Sequence, residues 1–251
     1  MDSIPLTSIA AYSYGLAALG FVLLGVPLLA GWRKRAYGPV LILACVASAL
    51  WAGAVASAAL DRMLWTDLSD ALEVARNAAW SLFLVVLLGD YHKPGSRLPF
   101  GLRPVLFVAA VCYLLALVAA FAGHWDLALL DSVLPVTARV AQAVGGMLLV
   151  EQAYRNKTAQ ERWAIKFVCL AIGGMFAYDF YLYSHAMLFR EVDPDIWAAR
   201  GVVNALTVPL IALSMTRAKS WSSPLAVSRR AMFHSAALFG SAIYLLAMGS
   251  A

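Results

Sequence analysis

The chain has 251 residues, of which 63% are hydrophobic and 13% are charged. Soluble domains contain about 45–50% apolar and about 25% charged residues, so this composition excludes an ordinary soluble domain and indicates an integral membrane protein. The formal net charge is +5. The basic residues lie in short clusters between apolar runs, which is typical of membrane topology and argues against nucleic-acid binding.

Apolar runs of about 20 residues recur along the chain, the length that an α-helix needs to cross a bilayer. They predict an all-α, polytopic membrane bundle of about eight transmembrane helices, in contact with the lipid bilayer and forming a single domain over residues 1–251. The connectors are too short for an inserted soluble domain. The predicted spans cover residues 9–31, 38–60, 71–89, 104–123, 132–151, 163–184, 197–216 and 232–250.

Basic residues divide unevenly between the two sets of loops and span ends. One set, which includes the segment Trp32–Arg35, holds 14 of the 19 Lys and Arg residues. By the positive-inside rule this set is cytoplasmic, so the N-terminus is predicted outside. With eight spans the C-terminus also lies outside. The last apolar run stops at Ala251 without a polar tail, and we expect the chain to be a fragment of a longer protein.

Four charged residues lie about one turn or more inside the predicted spans, away from their cytoplasmic ends. A charged side chain inside a membrane is energetically unfavourable unless it is paired with another charge or a polar group. Asp179 lies about 24 Å along its helix from Trp163 at 1.5 Å per residue, in the outer half of the span. The others are predicted at similar depth. The four residues are Arg76, Arg139, Asp179 and Arg200.

Polar neighbours extend these charges into stripes along single helix faces. Arg200, Asn204 and Thr207 are spaced 0, 4 and 7, which places them on one face of a helix. Because lipid offers no hydrogen-bond partner, such stripes are expected to point into the bundle.

Two interpretations of these charges remain open. In the first they are structural: Asp179 pairs with Arg200, Glu73 pairs with Arg76 or Arg139, and the remaining charge reaches the outer interface. In the second they line a polar pocket open to the outside. Three arginines against one or two acids would make such a pocket net positive, which suits an anionic or phosphate-bearing ligand.

No other chemistry is indicated by the motifs. The chain has no GxxxxGK[ST] or GxGxxG segment, so we predict no nucleotide site. No CxxC or Cys/His spacing occurs, and the four histidines are scattered over different loops and span ends, so we predict no metal site. We also predict no catalytic residue and no cofactor in this chain. Trp51 is interpreted with the other tryptophans as an interfacial anchor, although it lies deeper than they do. The pairs Gly145-Gly146 and Gly173-Gly174 predict close helix packing.

The last third of the chain carries a family resemblance. The run ERWAIKFVCLAIGGMFAYDFYLYSHAMLFREVDPDIWAARGVVNALTVPLIALS, residues 161–214, is followed by WSSPLAVSRRAMFHSAALFGSAIYLL, residues 221–246. Together they resemble the membrane-embedded N-terminal region of the PrsK family of sensor histidine kinases. This family is associated with the PEP-CTERM/exosortase protein-sorting system of Gram-negative bacteria. The segments that match best are RWAIKF, YDFYLYS, DPDIWAARGVVNAL and VSRR-MFH.

The resemblance implies the sensor region of a longer protein in the bacterial inner membrane. In that family a further span leads to a cytoplasmic GAF-like domain and a kinase core, which binds ATP, works as a homodimer and signals to a response regulator. The present chain lacks the motifs of that core, so ATP is expected only for the missing part. The alternatives are a small-solute transporter, a membrane enzyme that acts on a lipid or glycan carrier, or a structural scaffold.

Overall fold

A computed structural model of the chain describes residues 6–31, 37–60, 66–88 and 134–217, with isolated positions between 107 and 118. These described residues form α-helices joined by turns, which confirms the predicted all-α class. The isolated positions are helical and lie within the predicted span 104–123. The predicted span 232–250 lies outside the described residues. The helices are α1 (Leu6–Gly31), α2 (Gly38–Leu60), α3 (Thr66–Leu88), α4 (Leu134–Arg155), α5 (Ala159–Phe189) and α6 (Pro194–Arg217).

Five of these helices, α1, α2, α3, α5 and α6, are long and apolar enough to cross a membrane. They indicate a membrane protein, and their exposed apolar side chains are compatible with contact with a lipid bilayer. Helix α4 coincides with the predicted span 132–151 but is not among the five. Its polar side chains lower its hydropathy below that of its neighbours.

Local capping residues set where α5 and α6 begin. Thr158 caps α5: its hydroxyl accepts from the Glu161 amide at 3.4 Å, and the Glu161 carboxylate accepts from the Thr158 amide at 3.0 Å. This capping box starts the helix before the predicted residue 163. At the start of α6 the Asp193 carboxylate accepts from the amides of Asp195 and Ile196. The preceding turn contains Arg190 in the left-handed conformation that ends many helices.

The six described helices pack in a closed cycle. Each packs against the next along the chain, and α6 packs back against α1. A large apolar core, which includes Phe21, Trp80, Phe83 and Phe176, occupies one half of the bundle. A smaller apolar cluster around Tyr14 lies towards the other half.

Two glycines allow the closest helix crossings. A Cβ atom on Gly201 of α6 would lie 2.8 Å from the Ser13 Cβ and the Tyr14 amide nitrogen of α1. At the same crossing the Ser13 hydroxyl donates to the Ala198 carbonyl at 3.0 Å. A Cβ on Gly146 of α4 would lie 2.5 Å from the Phe176 ring of α5. Of the predicted glycine pairs, only Gly146 is therefore required by such a close approach, because a Cβ on its three partners meets no atom closer than 3.5 Å.

Candidate functional site

The charged residues predicted at similar depth meet inside the bundle. At 1.5 Å per residue, Arg200 is about 9 Å from the start of α6, and Arg76 is about 15 Å from the start of α3. Asp179 is about 15 Å from the end of α5 by the same measure. We call this group the charge cluster. Its members are Asp70, Glu73, Arg76, Arg139, Asp179, Tyr183, Arg200 and Asn204.

Asp179 bridges two arginines from different helices. Its Oδ1 accepts from Arg200 Nε at 2.7 Å, and its Oδ2 accepts from Arg76 Nη2 at 2.5 Å. All three side chains are almost completely buried. The Asp179–Arg200 pair of the structural interpretation is thus present, but Asp179 is shared with Arg76. Helices α3, α5 and α6 are joined at this one carboxylate.

Glu73 is the second bridging acid. It pairs with Arg200 Nη2 at 2.8 Å and with Arg139 Nη1 at 2.7 Å. Tyr183 donates its hydroxyl proton to Glu73, and its oxygen accepts from Arg139 Nη1 at 2.6 Å and from Arg200 Nη1 at 3.3 Å. The sequence places Tyr183 one turn from Asp179 on α5. Its hydrogen bonds to Glu73 and to the two arginines follow only from the structure.

Arg139 forms the partly exposed edge of the charge cluster. Its Nη2 lies 2.8 Å from Asp70, and the two side chains are 11% and 47% exposed. Asp70 makes the count three acids and three arginines, so the cluster is formally neutral and the expected net-positive charge is not found. The physical reason is that α3 begins at Thr66 rather than at residue 71. This extra helical turn carries Asp70 to within reach of Arg139.

The remaining donors of Arg76 are satisfied by amide side chains. Its Nη1 donates to Asn204 Oδ1 at 3.0 Å, and its Nε and Nη2 donate to Asn77 Oδ1 at 3.1 and 2.8 Å. Asn204 is held by its own bond to the Arg200 carbonyl at 2.9 Å. The predicted polar stripe of α6 therefore faces the bundle interior, and Asn204 orients Arg76.

Aromatic rings from α1, α2 and α6 pack beside the arginines. The guanidinium carbon of Arg76 is 3.9 Å from the Trp51 ring centroid, and that of Arg200 is 4.8 Å away. Tyr14 packs edge-on against Trp51 at 5.4 Å and also contacts Trp197 at 5.1 Å. Cations over an indole face are stabilised by its quadrupole, more so without water.

Trp51 is completely buried, so its interpretation as an interfacial anchor is wrong. The signal that could have identified it is its position near the middle of α2, too deep for an interface. With Trp51 and Tyr14 included, all six described helices contribute to the charge cluster or to the rings around it.

Three buried side chains of the described region keep polar atoms without hydrogen-bond partners. They are Trp51 at Nε1, Gln142 at both amide atoms, and His185 at Nδ1. Gln142 lies on α4 one turn beyond Arg139 and is buried. A buried amide without partners is destabilising by about 1–3 kcal/mol.

Comparisons of the chain with models of protein families, with curated proteins and with solved structures each find no match. The family resemblance of residues 161–246 therefore stays a prediction.

The charge cluster joins helices rather than presenting a reactive group. Each of its acids is paired with at least one arginine, and each arginine contacts at least two acids or amides. Removing one partner of a buried ion pair leaves the other charge buried and unpaired, which destabilises the folded protein by about 3–5 kcal/mol. The positions of α3, α4, α5 and α6 are therefore energetically linked at one depth of the bundle.

Proposed function

We propose that this chain is the membrane-embedded signal-input region of a two-component sensor histidine kinase of the PEP-CTERM/exosortase system. The observation that carries the proposal is the buried charge cluster, in which ion pairs join four helices. A signal that shifts one of these helices changes the pairing on the other three. Such a linked network is what a two-state relay requires, since the signal must favour one arrangement over another.

The family resemblance and the charge cluster fall on the same helices. The segment from Glu161 to Ser214 covers most of α5 and α6, which supply Asp179, Tyr183 and Arg200. This coincidence supports the proposal, because the most family-like residues are the ones that bridge helices.

Helix α5 provides a direct mechanical path from the charge cluster to the other side of the bundle. Asp179 lies about 30 Å from Ala159 at 1.5 Å per residue, and α5 is continuous between them. A shift of α5 at Asp179 is transmitted to its capped end at Thr158. In α6, Pro209 follows the cluster and offers a point at which that helix can bend.

The full proposal includes eight spans with the N-terminus outside, in the bacterial inner membrane. A signal from the cell envelope or membrane acts at the half that holds the charge cluster. The opposite half faces the cytoplasm, where a kinase core outside this chain would bind ATP, dimerise and phosphorylate a response regulator. The uneven loop charges support this orientation.

The deciding experiment has two parts. First, the gene is sequenced beyond codon 251, and its complete product is purified and incubated with labelled ATP. We expect a kinase core and autophosphorylation on histidine. A stop codon directly after Ala251 would refute the proposal. Uptake of a labelled solute by proteoliposomes of the chain, without phosphorylation of the complete product, would instead indicate a transporter.

Second, Arg200→Gln and Arg139→Gln are introduced separately into the complete protein. Kinase output and abundance in the membrane are measured together, with Arg155→Gln as the control. Arg155 is exposed on α4 and pairs with Glu151, four residues earlier. We expect kinase output per unit of protein in the membrane to change strongly for the two cluster variants, beyond any fall in abundance that the unpaired buried charge causes. Equal losses of output and abundance would assign the cluster to stability alone.

A further inference from the structure

A second group of cations lies at the end of α5 and α6 opposite the charge cluster. The guanidinium carbon of Arg217, the last residue of α6, is 4.6 Å from the Trp163 ring centroid and 4.4 Å from that of Phe167. Lys166 Nζ is 5.1 Å from the same Phe167 ring. Arg162 precedes Trp163 in the first turns of α5. We call these five residues the basic corner.

The basic corner is built on two helices that are fixed to each other. The Ser214 hydroxyl of α6 donates to the Ala164 carbonyl of α5 at 2.8 Å. This bond holds the last turn of α6 beside the first turns of α5. The fold therefore places Arg217 beside the two aromatic rings.

The cations of the basic corner have no acidic partner in the part of the chain that the structure describes. No ion pair joins Arg162, Lys166 or Arg217 to a carboxylate, whereas the nearby Arg155 lies 2.9 Å from Glu151. The adjacent acid, Glu161, is engaged in the capping box of α5. A guanidinium stacked on rings keeps its in-plane N–H donors, which match the geometry of a phosphate.

An apolar ridge continues from the basic corner along α5. Trp163 is 56% exposed, and Leu170, seven residues later on the same face, is 60% exposed. Phe167 lies between them. Tryptophan prefers the boundary between headgroups and hydrocarbon. The face therefore presents cations, then an interfacial ring, then an apolar surface, in the order in which a phospholipid presents phosphate, glycerol and acyl chain.

We propose that the basic corner binds an anionic phospholipid, with the phosphate on Arg217 and Lys166 and an acyl chain along Phe167 and Leu170. The charge at the other end of the same two helices is opposite in sign. The turn between α5 and α6 carries Glu191 and Asp193, and the first turn of α6 carries Asp195. Lipid of this class is thus expected at one end of the α5–α6 pair only.

The test measures lipid binding to the purified full chain by native mass spectrometry, with phosphatidylglycerol and phosphatidylcholine compared at equal concentration. A basic residue near an anionic surface contributes enough for about a fivefold change in affinity, and two contribute about 30-fold. We therefore expect about fivefold weaker phosphatidylglycerol binding for Arg217→Gln and about 30-fold for the double variant with Lys166→Gln. Arg155→Gln, which removes a paired charge from the same end, should leave affinity unchanged.

Equal loss of affinity in Arg155→Gln would overturn the proposal, because it would show attraction by total charge alone. Equal binding of phosphatidylcholine would overturn it too. If inorganic phosphate displaces phosphatidylglycerol at equal concentration, the site takes free phosphate rather than lipid. Tryptophan fluorescence establishes that each variant is folded. If Arg217→Gln does not fold, the affinity of Lys166→Gln for phosphatidylglycerol tests the proposal, because Lys166 is exposed.

Discussion

Replacing Asp179 with asparagine tests whether the charge cluster holds the bundle together. The substitution keeps the size of the side chain and removes its charge. Two ion pairs are lost, to Arg200 at 2.7 Å and to Arg76 at 2.5 Å. Arg200 keeps Glu73, but Arg76 is left with amide oxygens alone.

The expected cost is large because the stranded charge is fully buried. Removing one partner of a buried ion pair destabilises a protein by about 3–5 kcal/mol. Asp70→Asn is the matched control, since Asp70 lies on the same network but is half exposed. Exposed ion pairs contribute about 0–1 kcal/mol to stability. The free energy of unfolding of Asp70→Asn should therefore fall by at most that amount.

The double variant Asp179→Asn with Arg76→Gln separates stranded charge from lost packing. Once both charges are gone, no buried guanidinium remains without an acid, and much of the loss should be recovered. The measurement is equilibrium unfolding in mixed SDS micelles, followed by tryptophan fluorescence. A loss of stability in Asp179→Asn no larger than that in Asp70→Asn would contradict a structural role of the charge cluster. A double variant less stable than the less stable single variant would contradict it too.

Three further substitutions test local features by the same unfolding measurement. Gly201→Ala should lower the free energy of unfolding by about 1–3 kcal/mol because its Cβ collides with Ser13. Gly53→Ala is the control and should leave that free energy unchanged, because its Cβ would have no atom within 4 Å. Equal effects of the two substitutions would contradict the close crossing of α1 and α6. Gln142→Met should leave the free energy of unfolding unchanged or raise it, because both amide atoms lack partners among the described residues. A clear loss of stability would reveal a polar partner. Thr158→Ala should lower the free energy of unfolding by about 1 kcal/mol and speed hydrogen exchange of the amides in the first turn of α5. Unchanged exchange would contradict the role of Thr158 as the cap.

Helix positions and the depth of the buried charges could be predicted from the sequence because hydropathy and residue count determine both. The span predicted over 38–60 coincides with α2, and the predicted pair of Asp179 with Arg200 is present. The acid–arginine balance could not be predicted, since it depended on the extra turn at the start of α3 that carries Asp70. The burial of Trp51 could be predicted from its depth in α2, but its contacts with Arg76 and Arg200 could not, because ring contacts depend on the rotation of each helix about its axis.

Asp70 also decides between the two interpretations of the charge cluster. In the neutral cluster an added anion would have to displace Asp70 from Arg139, the one arginine of the cluster with appreciable exposure. Asp70→Asn removes this internal competitor and leaves the edge net positive. The variant should therefore bind a simple anion that the wild-type chain does not bind.

Millimolar sulfate at constant ionic strength is the suitable probe. A ligand that binds only the folded state stabilises it in proportion to the logarithm of its concentration above Kd. We expect sulfate to raise the unfolding midpoint of Asp70→Asn and not that of the wild-type chain. Asp195→Asn, which removes an exposed acid from the same half, should respond like the wild type. An equal rise in the wild-type chain would mean that Asp70 does not close the cluster, and it would favour the anion pocket over the structural ion pairs.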